Sequence, residues 1–325
     1  MSAALVPAEV LAPLGRARGR ALMLGHVHPD ADVLGTLLAL GLALEARGWS
    51  VEWGGPHPAP AYLGFLPGIE RYRRLERAAR GWDVVVSTDC PNPARTEGLL
   101  EQARPGAVVV NVDHHADNRR YGDVNWIEPR AAATGEMVFD LLTALGDPVT
   151  PAVATNLYTA ISTDTGSFRY SNVTPKTFTV AAALVTAGAD PAAVASALFE
   201  RREARAIGWL GEALGRVRLS DDGRVAWLAL PAGVVPEAFV EAEDLVNYPR
   251  SVASVKVACL LRERDGEVKV SLRAKGEVDV QRIAAGFGGG GHRNAAGFTM
   301  SGPLDRATAT VLGAVEAAIT GGPSR

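Results

Sequence analysis

The chain reads as an α/β protein, with a parallel sheet covered by helices, joined by a helical connector to a smaller α+β domain. Three observations predict this. Short, continuous apolar runs alternate with helical patterns through the first half, as strands buried on both faces by crossover helices do. Beyond about residue 203 the grammar changes to strands with an apolar and a polar face, joined by a hairpin signal. At 325 residues the chain is long enough for two domains.

Taken in order, residues 21–24 form the first strand and 33–47 a helix closed by Gly48. A second strand over 51–53 runs into a loop rich in proline and glycine. Residues 83–87 and 107–112 are further strands, with a helix over 95–103 between them. Helices follow over 134–145, 151–161 and 175–187. Gly188-Ala189-Asp190-Pro191 then starts another helix, because aspartate caps a helix and proline suits its first position. The domains are therefore expected at 1–187 and 203–325, with 188–202 as the connector. In the second domain 225–230, 254–262 and 268–273 are strands, and Asp265-Gly266 turns the last two into a hairpin. Val268, Val270 and Leu272 give one apolar face, while Ser271 and Arg273 project from the other.

Composition narrows the function classes. Apolar residues at 47% and charged residues at 21% describe a globular chain. A formal charge of −3 excludes a polycationic wrapper of long duplexes but not an enzyme for short phosphorylated ligands. Two distant cysteines, Cys90 and Cys259, build neither a disulfide framework nor a zinc cluster, and free thiols fit a reducing cytoplasm. The N-terminus lacks a targeting pattern, and the longest apolar stretch, 34–46, is too short to span a bilayer. A soluble cytoplasmic protein with no membrane partner is expected.

The chemistry gathers where strands end. The first strand runs into Gly25-His26-Val27-His28-Pro29-Asp30-Ala31-Asp32, the third into Thr88-Asp89, and the fourth directly into Asp113-His114-His115. Asp164 follows the 151–161 helix in Ser162-Thr163-Asp164-Thr165-Gly166. The carboxyl ends of parallel strands converge on one crevice. Singly, each aspartate is more often a helix cap than a ligand, and Asp32 is a candidate cap for the helix that follows it. Yet four of the six histidines, His26, His28, His114 and His115, fall in just two of these loops. Crowded carboxylates need cations, and an oxygen-rich set with imidazoles and no thiolate favours Mn²⁺ or Mg²⁺. Two such ions about 3.5–4 Å apart suit in-line attack on a phosphoryl group. In the second domain Gly288-Gly289-Gly290-Gly291-His292-Arg293 is either a flexible turn or an anion nest. With His292 attached and Arg273 on a hairpin nearby, phosphate recognition is the stronger reading.

Together these residues resemble the DHH phosphoesterase family. Its first motif matches Gly25 to Asp32, its second falls at Asp89, its name-giving triplet is Asp113-His114-His115, and its fourth is Thr163-Asp164-Thr165-Gly166-Ser167-Phe168. The Gly-Gly-Gly-His element looks like the family's DHH-associated domain. His28 stands where asparagine is common and Ala31 where glycine is common, and neither is a matched ligand position. The resemblance implies two Mn²⁺ ions, with Mg²⁺ as a possible substitute. His26, Asp30 and Asp89 would hold one ion. Asp32, Asp89, His114 and Asp164 would hold the other. It implies that Asp113 orients neighbouring imidazoles and that His115 stabilises the phosphoryl oxygen or leaving group. Arg273, Gly289, Gly290, Gly291 and His292 would hold a terminal phosphate.

Two-domain members of this size look most like the branch that degrades very short oligonucleotides and dephosphorylates pAp. The implied partners are short single-stranded oligonucleotides, dinucleotides such as pApA, and pAp, and a homodimer is compatible with the family. A cyclic-dinucleotide (c-di-AMP) phosphodiesterase shares the same motifs and is the first alternative. A RecJ-like exonuclease, a family-type pyrophosphatase and a non-catalytic nucleotide sensor rank lower, the last because all six expected metal ligands are present.

Overall fold

The computed structural model describes residues 6–201, 203–234 and 245–320. Two compact units divide the chain, Met1–Arg201 and Arg202–Arg325.

In the first unit α1 (Ala8–Leu14) precedes β1 (Arg20–Leu24) and α2 (Ala31–Ala46). Then come β2 (Ser50–Gly55), the two-residue β3 (Arg73–Arg74), β4 (Val84–Thr88), α3 (Leu99–Ala103), β5 (Val108–Asp113) and β6 (Val124–Ile127). Helices α4 (Thr134–Leu145), α5 (Pro151–Asp164), α6 (Pro175–Thr186) and α7 (Pro191–Phe199) complete it. Among the described residues the strands form one parallel sheet in the order β3-β2-β1-β4-β5-β6. The order reverses between β1 and β4, which makes their carboxyl ends the switch point where such sheets bind ligands.

The apolar runs follow from burial on both faces. Ala21 and Met23 of β1 and Val84 and Val86 of β4 join the core that includes residues of α2, α4 and α5. Leu22, Leu24 and Val85 point the other way, into a second cluster with Leu99 and Leu100 of α3. The helix expected over 95–103 is broken: a 3₁₀ turn spans Pro93–Thr96, and Glu97 and Gly98, both left-handed, separate it from α3. Strand β6 escaped the sequence reading because it lies at the sheet edge with only Trp126 buried. Most of the 188–202 segment is α7, which belongs to the first compact unit.

The second unit holds α8 (Ala204–Leu214), β7 (Val217–Leu219), β8 (Val225–Leu230), α9 (Asn247–Arg250), β9 (Val257–Arg264) and β10 (Glu267–Ala274). It continues with α10 (Val280–Gly286), β11 (Gly290–His292), β12 (Ala295–Ser301) and α11 (Leu304–Thr320). Its described strands form a mixed sheet in the order β11-β12-β10-β9-β8-β7, parallel only between β8 and β9. The hairpin falls where expected, with Asp265 at φ 51° and Gly266 at φ 79°, the left-handed pair a two-residue turn demands. Val268, Val270 and Leu272 line the core beneath α10 and α11. Ala258 and Leu260 face a second core that includes Ala206 and Ala213 of α8. On that side Ser271 is therefore buried, while Lys269 and Arg273 stay partly exposed. Among the described residues no single helix is long and apolar enough to cross a membrane.

Candidate active site

Each strand end of the first unit delivers a side chain to one place. His26 follows β1, and Asp89 follows β4 at φ 52°, its N–H tied to the Val112 carbonyl of β5 at 3.0 Å. Asp113 is the last residue of β5, with His114 and His115 directly after it. The cap of α2 is Asp30, whose Oδ1 accepts from the N–H groups of Asp32 and Val33 at 3.1 and 3.2 Å, and not Asp32 as the sequence suggested. Asp32 reaches instead to the start of α4, accepting from the N–H groups of Thr134 at 2.7 Å and Gly135 at 3.0 Å. It caps a helix whose own N-cap residue, Ala133, has no side chain able to do so. Asp164 is not in a loop: α5 runs one turn further than expected and ends on it.

These positions bring ligand atoms together in overlapping sets. Those of His26, Asp30 and Asp89 lie within 4.8 Å of one another, as do those of Asp32, His114 and Asp164, and those of Asp89, Asp113 and His115. His114 Nε2 is 3.4 Å from Asp89 and from Asp164, and 3.9 Å from Asp32. Asp113, fully buried, accepts from both the N–H and Nδ1 of His115, at 3.1 and 2.7 Å, and from Asn118 at 2.5 Å. It therefore orients His115, while His114 is oriented by the Ala131 carbonyl, 3.0 Å from its Nδ1.

The donor chemistry fits divalent cations. With Nδ1–H of His114 given to Ala131, its Nε2 faces three carboxylates, where a cation would take the place of its proton. His26 Nδ1 lies 2.8 Å from the Val27 carbonyl, and its Nε2 is buried with no hydrogen-bond partner among the described residues. A buried lone pair left without a proton donor beside Asp30 and Asp89 is what a metal ligand requires. His26, Asp30 and Asp89 could hold one ion, and Asp32, His114 and Asp164 another, with Asp89 3.4 Å from His114 between them.

Electrostatics point the same way. Burial, then the charge of Asp89, holds Asp32 well above the ordinary carboxylate range. The same two causes lift Asp30 to about 7. Burial would also raise Asp89, but His115 and His114 pull it below the usual range. Burial would lower His114, yet Asp164 and Asp89 hold it well above its ordinary value; burial would also lower His115, but Asp89 and Asp113 raise it. Burial and then Arg95 push His26 down to about 4, so it is neutral and ready to ligate. Carboxylates that resist ionising together are relieved by a bound cation.

Sequence reasoning missed three residues here. Thr134 donates its hydroxyl to Asp89 at 3.1 Å, Asn118 holds Asp113, and Arg95 places Nη2 3.2 Å from His26 Nδ1. Each acts on a residue far away in the chain or through a loop of no marked composition, so no spacing signals it.

Residues 20–161 match the DHH family, N-terminal domain, and residues 239–320 match the DHHA1 domain. The bifunctional oligoribonuclease and PAP phosphatase NrnA of Thermus thermophilus is 36% identical over 91% of this chain and 89% of its own. This chain belongs to the DHH family. The Bacillus subtilis protein of the same name is 27% identical, covering 85% of this chain and 87% of its own. An exopolyphosphatase-related protein from Bacteroides fragilis shares the fold, with TM-score 0.87 and 24% identity over 98% of this chain and 99% of its own.

The DHHA1 region of this DHH protein corrects one expectation. The glycine run is not an open nest. The N–H groups of Gly288 and Gly289 close the end of α10 on Ala285 and Ala284, and Gly290 to His292 form an edge strand on β12. Its glycines serve backbone contact: a Cβ on Gly289 would lie 2.2 Å from the Gly297 carbonyl, and one on Gly291 2.6 Å from that of Ala295. The register nevertheless puts Arg273 opposite Ala295 and Ala295 opposite His292, so Arg273 and His292 share one cross-strand row and one sheet face. Arg273 Nε is buried without a hydrogen-bond partner among the described residues.

Proposed function

We propose that the protein is a two-metal phosphoesterase that hydrolyses short oligonucleotides, dinucleotides such as pApA among them, and removes phosphate from pAp. The observation that carries this reading is the convergence of His26, Asp30 and Asp89 in one ligand set and Asp32, His114 and Asp164 in another, linked by the 3.4 Å approach of Asp89 to His114. The Thermus relative, matched over nearly its whole length, supports the choice of substrate. Bound there, two divalent ions, Mn²⁺ by preference, neutralise the carboxylates and supply Lewis-acid stabilisation to a phosphoryl group in in-line displacement. His115, locked by Asp113, is assigned to the phosphoryl oxygen or the leaving group. Arg273 and His292, in one row of the second sheet, are assigned to a terminal phosphate of the substrate. Buried free cysteines at 90 and 259 support a reducing cytoplasmic setting.

The test is a hydrolysis panel with Mn²⁺ or Mg²⁺ containing pApA, pAp, c-di-AMP and a single strand of about twenty nucleotides. Rapid turnover of pApA and pAp, with Mn²⁺ the better ion and the long strand slow, is expected. Equal rates on the long strand and pApA would refute the short-substrate reading. Preference for c-di-AMP over pApA would replace it with a cyclic-dinucleotide phosphodiesterase.

A further inference from the structure

Arg95 stands in the 3₁₀ turn Pro93–Thr96, partly buried, with its carbonyl bonded to the Val27 N–H at 2.8 Å. That bond ties the turn to the loop that carries His26. Among the described residues the guanidinium makes no ion pair with any of the surrounding carboxylates, and its one side-chain partner is His26 Nδ1 at 3.2 Å. This nitrogen is doubly claimed. The Val27 carbonyl, 2.8 Å away, can only accept a proton from it, while Arg95 can only donate one to it. Both bonds cannot exist at once. If Arg95 holds the lone pair, the proton sits on Nε2, which is buried and has no acceptor among the described residues. If Val27 takes the Nδ1 proton, Nε2 is bare and Arg95 loses its partner.

We propose that Arg95 is a substrate-phosphate residue of this site, relieved of His26 when a metal ion takes the Nε2 lone pair. The assignment rests on the metal-dependent phosphoesterase reading above. A guanidinium that declines the nearby carboxylates and is displaced by metal loading needs an anion, and its planar fork matches two phosphoryl oxygens. Metal occupancy and phosphate affinity are thereby linked through one imidazole: the ion fixes the tautomer that frees the arginine.

Arg95→Gln and Arg95→Lys test this with two titrations that use no nucleotide. Mn²⁺ binding to the metal-free protein is measured by calorimetry, and orthophosphate binding to the Mn²⁺-loaded protein by the same method. In Arg95→Gln, Mn²⁺ should bind as tightly as in wild type or more tightly, since a competitor for Nδ1 and a nearby positive charge are gone. Orthophosphate should bind at least about tenfold more weakly, the loss of a charge-assisted hydrogen bond. Arg95→Lys should recover part of that loss. Unchanged phosphate affinity in Arg95→Gln, or a fall only in step with weakened Mn²⁺ binding, overturns the assignment and makes Arg95 a prop for the His26 loop. A protein that binds both ions as described but cleaves no oligonucleotide fails the substrate reading and leaves Arg95 in place.

Discussion

Asp89 is the residue on which the site turns. Its carboxylate belongs to the His26 and Asp30 set and to the Asp113 and His115 set, and it lies 3.4 Å from His114. Its left-handed backbone, φ 52°, is one that aspartate and asparagine tolerate better than alanine does. Asp89→Asn therefore removes the charge without straining the turn. It should lower kcat/KM by about 10³-fold or more, since several kcal/mol of metal-derived stabilisation goes with it, while circular dichroism stays that of wild type. Substantial Mn²⁺-supported hydrolysis in this variant would overturn the site. Asp113 works through its neighbour. In Asp113→Asn one oxygen could still accept from His115, but an amide would then face the Asn118 amide, donor against donor. We expect kcat to fall roughly 10–100-fold with KM little changed. An unaltered kcat would strip Asp113 of its positioning role.

At the scale of elements, what the sequence disclosed was decided by local pattern. Strands β1, β4 and β5 were legible because burial on both faces makes them unbroken apolar runs; His26, Asp89 and His114 sit within two residues of their ends, and Asp30 and Asp32 follow where the β1 loop enters α2. Asp164 was legible as an acid just past a helix, but what delivers it is the packing of α5 against α2, and no run of residues announces that. Arg95 and Thr134 were invisible for a related reason, as their contacts join residues 69 and 45 positions apart. The glycine run was misread because a missing Cβ serves a nest and a tight strand equally well, and only the partner strand β12 separates them. The α2 and α5 packing yields its own prediction. A Cβ on Gly35 would lie 2.5 Å from the Asn156 carbonyl and 3.1 Å from Ala160 Cβ, so these helices touch through a glycine. Gly35→Ala must push them apart, and α2 carries Asp32 while α5 carries Asp164. Overpacking of this kind costs about 1–3 kcal/mol. The melting temperature should fall and Mn²⁺ should bind more weakly, both in one variant that touches no ligand. Wild-type Mn²⁺ affinity in Gly35→Ala would show that the helix spacing does not set the ligand geometry.

For the molecule as a whole, the net charge of −3 understates the strain, because the acids that matter are gathered in one place. Their protonation couples metal, pH and folding stability. Asp30, held at about 7 against an ordinary 3.8, and Asp32, held well above the ordinary range, keep protons in the folded chain that the unfolded chain has released. His114 and His115, both raised above 6.5, do the same. A group of this kind adds stability below its unfolded value and loses it as pH climbs through its folded value. His26, lowered to about 4, acts in the opposite sense, but only between 4 and 6.5, above which it is neutral in both states. Between about pH 6.5 and 8.5 the signs therefore agree: folding of the metal-free protein should weaken as pH rises. Mn²⁺ binds the deprotonated ligands of the folded state, so its stabilisation should be larger at pH 8.5 than at 6.5. Scanning calorimetry with chelator and then with excess Mn²⁺, at both pH values, measures this directly. A metal-free melting temperature that rises from pH 6.5 to 8.5, or a Mn²⁺ increment larger at the lower pH, would mean that the clustered carboxylates and imidazoles do not govern the stability of the first unit.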